Sequence, residues 1–235
     1  MQNPSASPSP KKIGAVVIHA ATYTARKKYV QALAHFFSNT DVQFKVIDGV
    51  ITDRVLYDAR YKTTQMPLTK GQIGCALAHL KALETALELD LDYVFIFEDD
   101  VEIIAENYSV LKEWLDNLPP HDICLVTNVG SHQGLGHDGR LHTNTKIGAD
   151  LIQPTCPFGT QAYYIAKPII KLLYTTQLQA MQENKIYIAD GLTIHCEKAQ
   201  HPIHQTIQYL NILTPQNPDM FFKHIEGESI RENLS

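Results

Sequence analysis

"YVFIFEDDVEI", residues 93–103, is the stretch on which the fold turns. Five largely apolar residues, Tyr93 to Phe97, run straight into Glu98, Asp99 and Asp100. An apolar run of this length and β-rich composition reads as a buried strand. Three adjacent carboxylates at its end repel one another, and their desolvation is costly unless a cation or a set of donors faces them. Along an extended chain Glu98 and Asp100 point to one side and Asp99 to the other. Where the strand breaks into a loop, two of the three can face one cation. Hard divalent ions such as Mg²⁺ or Mn²⁺ take oxygen ligands, often one or two carboxylates plus substrate phosphates. The bland alternative is a surface turn of solvated acids.

Working outward, "LTKGQIGCALAHLKALETALEL" (68–89) is the best-defined helix. Thr69 can cap it, and Gln72 three residues on completes a capping box. Ile73, Leu77, Leu80, Leu83 and Leu87, with Ala76, are expected to form its buried face. His79 lies near that face and reads as a packed, hydrogen-bonded histidine. Upstream, "IGAVVIHA" (13–20) reads as a buried strand and "TARKKYVQALAHFF" (24–37) as a helix, with Tyr29, Leu33, Phe36 and Phe37 on one face. "VQFKVIDG" (42–49) alternates Val42, Phe44 and Val46 as a second strand that ends in an Asp-Gly turn. Downstream, "YSVLKEWLDNL" (108–118) is helical and "HDICLVTNVG" (121–130) is a strand. "FGTQAYYIAKPIIKLLYT" (158–175) is a strand followed by a helix with Pro168 in its first turn. Strands alternating with helices indicate an α/β domain with a mostly parallel central sheet, in which ligands gather at the carboxyl ends of the strands. The acids sit at such an end.

The rest of the chain sets limits. Its 235 residues suit one large domain, expected over 13–225, between a Pro/Ser-rich flexible tail (1–12) and a loose tail (226–235). A formal net charge of -5 argues against general nucleic-acid binding, which needs basic excess. Cys75, Cys124, Cys156 and Cys196 form no CxxC pair and read as reduced thiols of a cytoplasmic protein. No apolar run reaches the length of a membrane span, and "MQNPSASPSPKK" lacks the apolar segment of a secretory signal.

"LTKGQIGCALAH" (68–79), a helix, and then "VFIFEDDV" (94–101) together resemble glycosyltransferase family 25. The family includes bacterial lipooligosaccharide galactosyltransferases and collagen galactosyltransferases. Leu68, Thr69, Gly71, Ile73, Gly74, Cys75, His79, Glu98, Asp99 and Asp100 match its pattern. Gln72 stands where the family has Glu, and Ala78 where it has Ser. "VIDG" (46–49), "FGTQAYYIAK" (158–167) and "IYIADGL" (186–192) are similar to further family segments. Near the start the family has Ile-Asn-Leu and an Arg soon after; here His19 and Ala20 depart from it while Arg26 fits.

The resemblance implies a GT-A-like (Rossmann-like) nucleotide-sugar-binding fold and an inverting transfer of a sugar, galactose from UDP-galactose. The acceptor would be a lipooligosaccharide or related, lipid-linked glycan. It implies a divalent metal, Mn²⁺ or Mg²⁺, held by Asp99 and Asp100, which would stabilise the leaving diphosphate as a Lewis acid. Arg26, Glu98, Gly159 and Thr160 are expected around the donor, Arg26 by reaching a diphosphate. Inversion needs a base. Asp190, after an apolar run, is the candidate; a carboxylate that merely ends a strand is the alternative. The expected location is cytoplasmic, extending to the inner face of the bacterial inner membrane, although no basic amphipathic helix at either end supports membrane contact.

Two other readings use the same acids: a metal-dependent phosphoester hydrolase, and a carbohydrate-binding module with a dead site. Two motifs are set aside. "GLGHDG" (134–139) fits GxGxxG, but the residues after it are not helical, so a glycine-rich loop over the site fits better than a dinucleotide fingerprint. His195, Cys196, His201 and His204 match no common zinc spacing. One of these histidines, or His224, is left as a possible extra metal or phosphate ligand.

Overall fold

The computed structural model describes residues 11–52, 69–127, 130–131, 134–135, 141–154, 157–158, 160–182, 186, 210–217 and 219–225. Its elements are, in order, β1 (Ile13–His19), α1 (Lys27–Phe37), β2 (Gln43–Asp48), α2 (Lys70–Glu88), β3 (Tyr93–Glu98) and β4 (Val101–Ile103). There follow α3 (Tyr108–Asp116), β5 (Ile123–Leu125), β6 (Gly130–Ser131), β7 (Gly134–Leu135), β8 (Leu141–His142) and β9 (Asn144–Lys146). The last are β10 (Leu151–Pro154), β11 (Pro157–Phe158), β12 (Ala162–Ala166), α4 (Lys167–Gln182), β13 (Ile212–Pro215) and β14 (Phe222–His224).

One eight-stranded sheet dominates, in the order β2-β1-β3-β12-β5-β13-β10-β9. β1 pairs in parallel with both β2 and β3, and β13 pairs in parallel with β5. Only β12 and β10 run against the other strands. The fold class is therefore α/β with a mostly parallel central sheet, as expected.

β3 lies between β1 and β12, and strand alternation divides its side chains between two cores. Val94 and Ile96 join Val16, Ile18, Ala82, Leu83 and Ile170 on the face covered by α2 and α4. Phe95 and Phe97 join Val17, Leu33, Phe37 and Leu111 on the face covered by α1 and α3. A strand buried on both faces must be apolar throughout, which is why "YVFIF" shows no alternation.

Three details differ from expectation. On α1 it is Val30, not Tyr29, that is fully buried with Leu33 and Phe37. On β2 Val46 is exposed while Ile47 is buried, because this edge strand touches both cores: Val42 and Phe44 meet the α1 face and Ile47 the α2 face. On α2 the fully buried stripe is mostly small, with Gly74, Ala76, Ala78, Ala82 and Ala86 beside Ile73 and Leu83. Small residues let the helix axis approach the sheet and α4 closely, so Leu77 and Leu87 fill the flanks half-buried.

Both ends of α2 are fixed by local chemistry. At its start the Thr69 side chain accepts from the Gln72 amide (3.2 Å) and the Gln72 side chain accepts from the Thr69 amide (3.1 Å). The capping box thus survives the exchange of Glu for Gln. At its end Asp90 adopts a left-handed φ of 54°. Asp90 N–H bonds the Leu87 carbonyl and Leu91 N–H the Ala86 carbonyl, the paired bonds of a Schellman motif. Exposed Asp90 also receives Lys167 and Lys12, which hold its carboxyl down at about 2.

Gly74 is where α2 meets the loop after β2. A Cβ there would lie 2.4 Å from the Val50 carbonyl oxygen. Gly74→Ala is therefore expected to lose about 1–3 kcal/mol by forcing backbone apart, read as a lower midpoint in urea unfolding. An unchanged midpoint would mean that the loop gives way freely.

Candidate active site

The parallel register brings the carboxyl ends of three strands level. Ile18 of β1 pairs with Glu98 of β3, and His19 with Asp48 of β2. One residue further, Asp99 arrives beside His19. The chain turns at Asp99 and Asp100 and leaves as β4, which pairs with β14 so that Val101 faces His224. Ile225 N–H then bonds the Asp100 carbonyl at 2.9 Å. On the other side, Glu98 N–H bonds the Gln161 carbonyl at 2.7 Å, which seats Thr160 next to Glu98.

Asp99 and Asp100 are only 3% and 5% exposed, which rules out a solvated surface turn. Their principal counter-charge is Arg26, itself 2% exposed, in the short turn of 3₁₀ helix Thr24–Arg26 before α1. Arg26 Nη1 donates to Asp99 Oδ1 at 2.7 Å and lies 3.3 Å from Asp100 Oδ2. Burial pulls the Arg26 pKa downward, but the bond to Asp99 and the field of Asp100 outweigh it and hold it above its ordinary value. Asp99 Oδ2 also accepts from the Ala20 amide (3.2 Å) and pairs with His19 Nδ1 (2.8 Å). Asp100 is less satisfied. Its Oδ2 lies 3.6 Å from His224 Nε2, and its buried Oδ1 has no hydrogen-bond partner among the described residues.

Glu98 points to the opposite face, as strand alternation requires. Its Oε1 lies 3.4 Å from His79 Nε2 and accepts from the Thr160 hydroxyl at 3.2 Å. His79 Nδ1 in turn meets the Tyr163 hydroxyl at 3.1 Å. A consistent assignment has Tyr163 O–H donating to Nδ1 and Nε2–H donating to Glu98. The buried His79 is hydrogen-bonded on both nitrogens, as the sequence suggested. Burial pushes the Tyr163 phenol pKa far up, so it keeps its proton.

All three acids line one cleft with Tyr23, Arg26, Val50, Lys70 and Gly71. The cleft lies at the carboxyl ends of β1 and β3 and at the start of α2. Of the residues singled out in the sequence, Arg26, Glu98, Asp99 and Asp100 line it, and Thr160 stands behind Glu98. Arg26 binds the acids directly. Gly159, Asp190, His195, Cys196, His201 and His204 lie outside the described residues. Two participants lacked a sequence signal of their own: His19, which marked only a departure from the family pattern, and Tyr163, one of two adjacent tyrosines. "GLGHDG" opens on strand β7, and the described residues after it, 141–154, hold strands β8, β9 and β10 and no helix. No helix among the described residues is long and apolar enough to cross a membrane.

Comparison with known proteins places this arrangement. A Haemophilus influenzae protein provisionally named a glycosyltransferase is 31% identical over 103 residues, 41% of this chain and 35% of that protein. Human procollagen galactosyltransferase 2 is 22% identical over 121 residues, 46% of this chain and 19% of that protein. The chain thus spans about a third or less of the length of these curated relatives. Among solved structures, a Drosophila galactosyltransferase 7 complex with manganese, UDP-Gal and xylobiose has a TM-score of 0.43 at 10% identity, over 92% of this chain and 71% of that one. The galactosyltransferase LgtC with donor and acceptor sugar analogues has a TM-score of 0.38 at 14% identity, over 76% and 68%. The model of glycosyltransferase family 25, described as LPS biosynthesis protein, matches residues 15–133, just over half of the chain. That span holds most of β1, Arg26, the capped start of α2 and the three acids, and the chain belongs to glycosyltransferase family 25.

Proposed function

We propose that the protein is an inverting glycosyltransferase that moves galactose from UDP-galactose onto a lipooligosaccharide or related glycan. The observation that carries this reading is the orphaned, buried Oδ1 of Asp100 in a family 25 motif at the strand ends. A carboxylate oxygen without a donor, in a cleft and beside a histidine, suits a hard divalent ion, Mn²⁺ or Mg²⁺. Asp100 would hold the ion through Oδ1, with Asp99 Oδ1 offering the lone pair that Arg26 leaves and His224 as a further ligand. When bound, the ion supplies Lewis-acid stabilisation of the departing diphosphate.

The chain's own groups take the remaining tasks. Arg26 pairs with both acids and holds them aimed, a positioning role rather than a contact with the diphosphate. Lys70 and the first turn of α2 lie at the cleft, where a helix N-terminus favours phosphate oxygens. Glu98, oriented by His79 and Thr160, is available to sugar or ribose hydroxyls, and Gly159 belongs to the same segment. Asp190 is proposed as the base that takes the acceptor proton.

The discriminating experiment is calorimetry of UDP, UDP-glucose and UDP-galactose, each in Mn²⁺ and in EDTA. The acids alone repel a diphosphate: each like-charge pair at about 4 Å costs roughly 1 kcal/mol even in water. Mn²⁺ is therefore expected to tighten all three ligands, with UDP-galactose the tighter of the two sugars. Equal affinity for UDP in EDTA and Mn²⁺ would overturn the bridging-metal reading. Tighter binding of UDP-glucose would overturn the galactose assignment alone.

A further inference from the structure

On the opposite face of β3 from Asp99 stands a second set of donors with different chemistry. Cys75 and His79 are one turn apart on α2, and Glu98 ends β3. One ligand atom of each, a sulfur, a ring nitrogen and a carboxylate oxygen, lie within 4.8 Å of one another. All three side chains line the cleft. The His79 Nε2 to Glu98 Oε1 distance of 3.4 Å is long for a hydrogen bond, whose usual range is about 2.7–3.2 Å. The weak contact of the ion-free state also has the spacing of two ligands that share an ion. Two ligands held about 2.0–2.1 Å from a tetrahedral ion stand roughly 3.3–3.4 Å apart.

The outer partners that such a site needs are in place. A metal-bound imidazole donates its other N–H to a fixed acceptor, and His79 Nδ1 faces the Tyr163 hydroxyl at 3.1 Å. The Glu98 carboxylate is oriented by the Thr160 hydroxyl at 3.2 Å. Metal binding exchanges the tautomer of the ion-free state: the proton passes from Nε2 to Nδ1, which donates to the Tyr163 oxygen, and Nε2 presents its lone pair.

The geometry points to a second metal site, for a divalent ion of the zinc class, formed by Cys75 Sγ, His79 Nε2 and the Glu98 carboxylate at the wall of the cleft. A mixed sulfur, nitrogen and oxygen set selects zinc over Mg²⁺ or Mn²⁺. It thereby separates this site from the thiolate-free, hard-ion chemistry of Asp99 and Asp100. Bound there, the ion ties the start of α2 to the end of β3. Its free energy adds to the stability of the fold because the ligands converge only in the folded chain.

The test uses untagged, metal-stripped protein titrated with Co²⁺ as a spectroscopic stand-in and then with Zn²⁺. One equivalent of Co²⁺ is expected to develop a thiolate-to-cobalt absorption in the near ultraviolet, which Zn²⁺ abolishes. Cys75→Ser should lack that absorption and bind Zn²⁺ about tenfold or more weakly. In the unmutated protein Zn²⁺, but not Mg²⁺, should protect Cys75 from maleimide, located by peptide mass mapping. That measurement decides the matter if Cys75→Ser fails to fold. Absence of the thiolate band in the wild type, its persistence in Cys75→Ser, or unprotected labelling of Cys75 in Zn²⁺ would each overturn the site. None of these readouts depends on sugar transfer, so the site stands or falls separately from the proposed activity.

Discussion

Arg26→Ala is expected to destabilise the protein by about 3–5 kcal/mol, the cost of leaving buried charge without its partner. Arg26 is 2% exposed and its Nη1 faces both Asp99 and Asp100, each 5% exposed or less. Removing it leaves two buried carboxylates to repel each other, with His19, His224 and one backbone amide as their partners among the described residues. Arg26→Lys should recover part of the loss, because an ammonium restores charge but not the planar fork. A further test lies in the double variant. Asp100→Asn placed on Arg26→Ala removes one of the stranded charges and should return a substantial part of the lost stability. Urea unfolding of the wild type, both single variants and the pair gives the coupling directly. A loss below about 1 kcal/mol for Arg26→Ala, with no coupling to Asp100, would show that the acids are neutralised by something else.

The same cluster shows what could be read from sequence and what could not. The strand was legible because β3 is buried on both faces and so must be uniformly apolar. The start of α2 was legible because a capping box is a local device, complete within Thr69 to Gln72. Arg26 was legible as a functional residue but not as the partner of the acids. That contact spans 73 positions and depends on the parallel register that sets His19 and Asp99 side by side. His224 reaches Asp100 only through the pairing of β4 with β14. The stripe of alanines on α2 was hidden by the leucines beside it. Hydrophobicity ranks Leu above Ala, whereas close helix-to-sheet packing selects for size. Val46 misled for a related reason: alternation assigns a face, but on an edge strand that touches both cores the covered side passes from Val42 and Phe44 to Ile47.

The last expected result separates what Asp100 does for chemistry from what it does for the fold. Asp100→Asn should lower transfer by about 10³-fold, roughly 4 kcal/mol, the scale of losing an ion's charge stabilisation in the transition state. In EDTA its stability should equal or slightly exceed that of the wild type. Arg26 retains Asp99, and one member of a crowded set of carboxylates is gone. The signature is the response to metal. An ion that binds only the folded state stabilises by RT ln(1 + [L]/Kd), about 2.7 kcal/mol at one hundred times Kd. Wild-type protein should therefore gain thermal stability in saturating Mn²⁺ and UDP while Asp100→Asn gains little. Asp99→Asn offers the contrast. It removes the charge that pairs with Arg26 and sets an NH₂ donor against either Arg26 or the Ala20 amide, so it should lose stability even in EDTA. Three observables thus divide the two acids: turnover, stability without metal, and the increment that metal adds. If Asp100→Asn keeps both the Mn²⁺ increment and turnover, the ion is held elsewhere and the orphaned Oδ1 is only a packing feature. If instead it falls in EDTA as far as Asp99→Asn does, Asp100 serves the fold through Arg26, and its role as a metal ligand is lost with that result.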